Sequence, residues 1–164
     1  MPDDHVMAMC WDELTALTRR IAAEVIADGV PDILIGILRG GMIPAVMLAH
    51  ALGSRQVRAI EVTHTADDSI NAAKTCRPLL RNLASAGDVS GRDVLITDDV
   101  AGTGETAAYT ADLMHRLGAA RVRTAVWVLN EAKSPTADRC TLDQALTYIG
   151  ARNQAWVIFP WEQP

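Results

Sequence analysis

Short apolar runs set the limits on this chain's fold. Ile33 to Leu38, Val57 to Val62, Val94 to Asp98 and Val122 to Leu129 read as short strands, and Ile33 to Leu38 is apolar on both alternating faces. Such runs suit strands covered on both sides, as in a parallel sheet packed between helices. Most intervals between them carry helical spacing. Leu14, Leu17, Ile21 and Val25 recur at three- and four-residue steps, which predicts an amphipathic helix over Asp12 to Ala27, closed by Asp28-Gly29. After the Arg39-Gly40-Gly41 turn, Pro44 suits the first turn of a second, buried helix and Gly53 its end. A third helix is expected over Glu105 to Leu117. The alternation predicts an α/β fold with a mostly parallel central sheet flanked by helices.

Two regions depart from the alternation. Residues 64–91 are polar and turn-rich, longer than ordinary connections, and predict a flexible functional loop with a short helix at Cys76 to Leu83. Beyond Asn130, two short strands are expected, Ala145 to Ile149 and Trp156 to Phe159, forming a small C-terminal cap. With 164 residues, 49% of them hydrophobic, and no repeat or linker, a single domain over 1–164 is expected.

Charge and cysteine content narrow the function classes. A net charge of -5 disfavours general binding to nucleic acid or to a membrane surface. Cys10, Cys76 and Cys140 are scattered and odd in number, forming neither a disulfide framework nor a zinc pattern. The opening MPDDHVMAMC has acids where a signal peptide would be positively charged, and no apolar run approaches the ~18 residues of a membrane span. A cytoplasmic protein is expected.

In open α/β sheets, ligands bind beyond the carboxyl ends of the strands. Three such ends carry unusual residues here: Arg39-Gly40-Gly41, Asp98 to Thr106, and Asn130 to Lys133. In DDVAGTGET, Gly102 and Gly104 permit close backbone approach, Thr103 and Thr106 offer hydroxyls, and the N–H groups of a helix start favour an anion. Those features suit a phosphate. Asp98 and Asp99 suit a different part of the ligand, because carboxylates accept hydrogen bonds from a diol and coordinate Mg²⁺ through oxygen. A sugar phosphate meets both requirements.

The stretch VLITDDVAGTGET resembles the phosphoribosyl-diphosphate (PRPP) motif of the type I phosphoribosyltransferases. LRGGMIPAVMLAHALG is similar to the diphosphate loop and following helix of the xanthine-guanine branch, CWDELTALTRRIA to its N-terminal helix, and WVIFPWE to its C-terminal signature. The resemblance implies the type I fold with a small hood over about 130–164, and transfer of ribose 5-phosphate from PRPP to a purine-like base. It implies that Arg39, Gly40 and Gly41 bind diphosphate, with Arg39 adding charge. Asp98 and Asp99 would hold the ribose hydroxyls and help place Mg²⁺. Ala101, Gly102, Thr103, Gly104, Glu105 and Thr106 would bind the 5-phosphate. Lys133 would contact the oxygen at C6 of the base, Trp156 would stack on it, the Val157 backbone would bind its edge, and Glu162 would face it. Lys74, Arg77 and Arg81 are candidates to close over the diphosphate. Homodimers or homotetramers are usual in such families.

One position departs from the pattern. The 6-oxopurine enzymes carry an acid directly before the Thr-Gly of this loop, and here that position is Gly102. A guanine-, xanthine- or hypoxanthine-like base remains favoured, and a modified base without a protonatable N7, such as a 7-deazapurine, is compatible. Two other readings stay open: a non-catalytic PRPP sensor, and a dinucleotide-binding protein, since GTGETA also fits G-x-G-x-x-A.

Overall fold

A computed structural model of the chain describes residues 6–65, 74–133, 142 and 144–162; at 64, 65, 74–77 and 133 it describes the backbone alone. The central sheet has six strands. In chain order they are β2 (Ile33–Leu38), β3 (Val57–Thr65), β4 (Lys74–Arg81), β5 (Asp93–Ala101), β6 (Arg121–Asn130) and β7 (Tyr148–Asn153). Their order across the sheet is β4-β3-β2-β5-β6-β7, and every pairing is parallel except β3 with β4. A separate parallel pair joins β1 (Val6–Ala8) to β8 (Trp156–Ile158).

Three helices cover the sheet: α1 (Trp11–Asp28), α2 (Met42–Leu52) and α3 (Glu105–Arg116). The strand residues divide between the two faces by alternation. Leu34 and Leu95 join the core beneath α1 and α2, whereas Ile33, Ile35, Ile37, Val94 and Ile96 join the core containing Met114 of α3. Both faces are thus buried, which explains the unbroken apolar run of β2. On α1 the buried stripe is Leu14, Thr18, Ile21, Ala22 and Val25. Thr18 is polar among them because the fully buried Trp127 donates its indole N–H to the Thr18 hydroxyl at 3.0 Å, and that hydroxyl donates to the Leu14 carbonyl at 2.8 Å. A buried tryptophan N–H needs such an acceptor.

The α/β architecture expected from the sequence is present, with three corrections at its edges. The short helix expected at Cys76 to Leu83 is instead β4, antiparallel to β3, with a 3-10 turn only at Leu83–Ala86. Pro78 explains this, since proline breaks a helix interior but is tolerated on an edge strand. The strand expected over Ala145 to Ile149 lies three residues later, and it joins the main sheet beside β6 rather than a separate cap. Thr124 and Thr147 fix its start, each hydroxyl accepting the other's backbone N–H at 3.0–3.1 Å. Finally, β5 runs on past Asp98 to Ala101, so Asp99 as well as Asp98 belongs to the strand. Among the described residues, no helix is long and apolar enough to cross a membrane.

Candidate active site

The two central strands, β2 and β5, lie side by side, yet their chains leave for opposite sides of the sheet. From β2 the chain passes through α2 to β3, and from β5 through α3 to β6. A crevice opens at such a reversal, beyond the carboxyl ends of the strands. The Arg39-Gly40-Gly41 turn and the Asp98-Asp99 pair flank it.

Those two segments interlock, and this accounts for both glycines. A Cβ on Gly40 would lie 1.8 Å from Oδ2 of Asp99, and one on Gly41 would lie 2.5 Å from the Thr97 carbonyl oxygen. The Thr97 hydroxyl donates to the Gly41 carbonyl at 3.0 Å, and the Gly41 N–H donates to the Ile37 carbonyl at 2.9 Å. The Leu38–Arg39 peptide between these anchors is cis. No side chain fits at either glycine without displacing the acid or the strand.

The acids themselves are poorly compensated. Asp98 accepts the Asp99 N–H at 3.0 Å and Asp99 accepts the Val100 N–H at 2.8 Å, and the two carboxyl groups also bond each other, so their partners come from the same short stretch. Both residues keep partial surface exposure, yet the protein surrounding them desolvates their carboxyl groups. Burial lifts Asp98 well above the ordinary carboxylate range, and the neighbouring Asp99 charge lifts it further. Burial also pushes Asp99 up to about 6, against the pull of the Val100 N–H, with the Glu162 charge adding to the rise. Glu162 therefore lies close to the strand acids. Its carboxylate accepts the Phe159 N–H at 2.9 Å and so closes the C-terminal turn Pro160–Glu162.

Beyond β5, Gly102 to Gly104 form the bend into α3, and Gly104 serves as its N-cap at φ 76°, a conformation that favours glycine. Its missing side chain also leaves room for Leu142, whose Cδ2 would be 2.8 Å from a Cβ there. Glu105 in the first helical turn accepts the Thr103 hydroxyl at 2.9 Å. Thr106 lies in the same turn, where backbone N–H groups lack intrahelical partners. The loop expected to cradle a phosphate is thus at a helix start, beside the acids.

Of the remaining expected residues, Lys133 follows β6 and Trp156 follows β7, whereas Lys74, Arg77 and Arg81 lie in β4 at the opposite edge of the sheet. Lys133 closes the 3-10 turn Glu131–Lys133, but its side chain lies outside the described set, as do those of Lys74 and Arg77. Arg81 pairs with Glu61 across β3 and β4 at 3.3 Å. Trp156 and Val157 sit in β8, where Val157 pairs in register with Met7. The Ile158 carbonyl accepts the Met9 N–H at 2.9 Å, so by alternation the Val157 N–H and C=O are directed away from β1. Trp161 stacks on the fully buried Phe159 with ring centroids 4.7 Å apart, which places it against the core.

One residue escaped the sequence reading. Asn153, the last residue of β7, holds both polar atoms of its amide buried and without a hydrogen-bond partner. Nothing in ARNQAW marks it, because an asparagine beside a turn reads as a turn former.

The family profile of the phosphoribosyl transferase domain matches residues 10–158, nearly the whole chain. The chain belongs to the phosphoribosyl transferase family. It is 28% identical over 161 residues to a xanthine-guanine phosphoribosyltransferase of Gluconobacter oxydans, covering 96% of this chain and 85% of that protein. A purine phosphoribosyltransferase from Pyrococcus horikoshii superimposes with a TM-score of 0.75 at 26% identity, covering 98% of this chain and 95% of the other. A Helicobacter pylori xanthine-guanine-hypoxanthine phosphoribosyltransferase shares the fold at a TM-score of 0.71 and 16% identity, over 96% of this chain and 94% of that one. This phosphoribosyltransferase is therefore a PRPP-dependent pentosyltransferase, and the resemblance of its central motifs reflects kinship.

Proposed function

We propose that this phosphoribosyltransferase joins a 6-oxopurine-type base to PRPP, giving a nucleoside 5′-monophosphate and diphosphate, with residues 1–164 acting as one catalytic domain. The observation carrying this reading is the order of the loop ends across the sheet. The Arg39 turn follows β2, the acid pair lies in the last part of the adjacent β5 with the Gly-Thr-Gly bend after it, and the Lys133 turn and Trp156 segment follow β6 and β7. Adjacent strands lie about 4.8 Å apart. Diphosphate, ribose phosphate and base in sequence span a comparable distance.

Each group then has a matching part. The Arg39 guanidinium and the backbone at Gly40 and Gly41 hold the diphosphate, and Asp98 and Asp99 accept hydrogen bonds from the ribose diol. The backbone and hydroxyls from Ala101 to Thr106 hold the 5-phosphate at the start of α3. Trp156 stacks on the base, with Lys133, the Val157 backbone and Glu162 around its edge. The donor set at β5 also fits Mg²⁺: two carboxyl groups side by side, both raised in pKa by burial, Asp98 further by the Asp99 charge and Asp99 by the Glu162 charge, would be relieved by a divalent cation. Bound with the substrate, Mg²⁺ supplies positive charge against the departing diphosphate. A base nitrogen forms the new bond to C1 of the sugar as the bond to diphosphate breaks, through an oxocarbenium-like transition state. The chain's part is to align the two reactants, to stabilise the leaving group through Arg39, and to exclude water.

Gly102 qualifies the choice of base. Without an acid there, proton movement at N7 loses an assistance worth about 10²- to 10⁴-fold in rate, so 7-deazapurines belong among the candidates. A homodimer or homotetramer is the expected assembly. The test is a panel of bases with PRPP and Mg²⁺, following diphosphate release. Turnover of guanine, xanthine or hypoxanthine supports the reading. Turnover of adenine or a pyrimidine alone refutes the base assignment.

A further inference from the structure

At the carboxyl end of β7, two contacts frame Asn153. On one side Arg152 pairs with Glu131 at 3.3 Å, tying this strand end to the turn that carries Lys133. On the other, Asn130, the register partner of Asn153, donates its amide to the Ala155 carbonyl at 3.0 Å, fixing the chain immediately before Trp156. The side-chain oxygen of Asn130 is used as well, accepting the Ala132 N–H at 3.0 Å. Both polar atoms of the Asn130 amide are thus engaged. The Asn153 amide is buried with neither its oxygen nor its nitrogen paired among the described residues.

A buried amide without partners is rare in folded proteins and points to a missing ligand group or ordered water. Asn153 closes the gap between the two segments that the proposed function assigns to the base. We infer that Asn153 is a specificity-determining residue, reading the hydrogen-bonding edge of the nucleobase with a paired donor and acceptor. This rests on the nucleobase reading of the site. A carboxamide matches the adjacent C=O and N–H of an oxopurine edge, offering N–H to the oxygen and C=O to the ring N–H. Sites built to pair a ligand's polar edge discriminate strongly against bases lacking it.

The test is equilibrium binding of GMP, XMP, IMP, AMP and ribose 5-phosphate to the wild type, Asn153→Leu and Asn153→Ala, with thermal unfolding recorded alongside. We expect both variants to bind the preferred nucleotide at least about tenfold more weakly, with ribose 5-phosphate affinity within about twofold of wild type. Asn153→Leu should melt at or above the wild-type temperature, because an apolar near-isostere replaces an unpaired amide. Nucleotide affinities unchanged in both variants would overturn the inference, as would equal losses for ribose 5-phosphate. Asn153→Asp offers a check that leaves side-chain volume alone: it keeps the acceptor and loses the donor, so the rank order of the four nucleotides should change. If the wild type binds all four no better than ribose 5-phosphate, the nucleobase reading fails, and this inference with it.

Discussion

The two ends of one sheet handle charge in opposite ways. At the amino ends of the strands, Arg123 is 2% exposed and fully engaged: it bonds Asp93 through two nitrogens at 2.8 and 3.2 Å, the Tyr148 hydroxyl at 2.9 Å and the Gly29 carbonyl at 2.8 Å. Tyr148 in turn donates to Asp28 at 2.8 Å. Burial works against the Arg123 charge, yet its bonds to Tyr148 and Asp93 outweigh this and hold its pKa above the ordinary value. At the carboxyl ends, Asp98 and Asp99 are like charges with no described cation bonded to them, and burial raises both. The amino end is complete without a ligand, whereas the carboxyl end is strained until one arrives. Stability is concentrated in the first and function in the second.

The comparison breaks most readily at Arg123. Arg123→Ala removes the buried centre of this network, taking a donor from the Tyr148 hydroxyl and the Gly29 carbonyl and leaving half-buried Asp93 with Arg121 at 3.6 Å, so urea unfolding should show a loss of about 1–3 kcal/mol, while kcat of the folded protein stays near wild type. A comparable fall in kcat at equal folded fraction would mean that the two ends are coupled. Next in size is Gly40→Ala. A methyl group 1.8 Å from Oδ2 of Asp99 must push the diphosphate turn or the acid aside. A displacement on that scale costs about 10²-fold in kcat/KM. Steady-state kinetics at varied PRPP would measure it, and wild-type values would contradict the interlocking of the two segments.

The sequence revealed the layers and the ligand-facing turns because those depend on local signals. Ile33 to Leu38 has its strand limits written in its apolar residues, and the glycines beyond it mark the turn. Long-range pairing was not legible. Nothing in KTCRPLLR says that it will pair antiparallel with β3, and nothing at Val6 to Ala8 foretells its pairing with β8. The acids were found through their motif, but their closeness to Glu162 is a consequence of how the C-terminal turn folds back. Nothing in RVRTAV marks Arg123 as buried, since its partners come from the residue that caps α1, from β5 and from β7. Asn153 carried no local signal at all, because its distinction is the absence of a partner in three dimensions.

The smallest effect bears most directly on the central claim, that the acid pair is held at a cost that its ligand relieves. The folded chain holds protons on these carboxyls more tightly than the unfolded chain, where the ordinary value is near 3.8. Their contribution to stability is therefore present at low pH and lost as pH rises from about 4 through about 6. The measurement is urea unfolding of the wild type and of Asp98→Asn/Asp99→Asn across that range, without ligand and with PRPP and Mg²⁺. Without ligand at pH 7, the double variant should be the more stable by about 1–3 kcal/mol, with the difference shrinking toward pH 4. With PRPP and Mg²⁺, the wild type should gain stability and the variant little or none. A variant less stable than wild type without ligand, or equally stabilised by PRPP, would contradict the account.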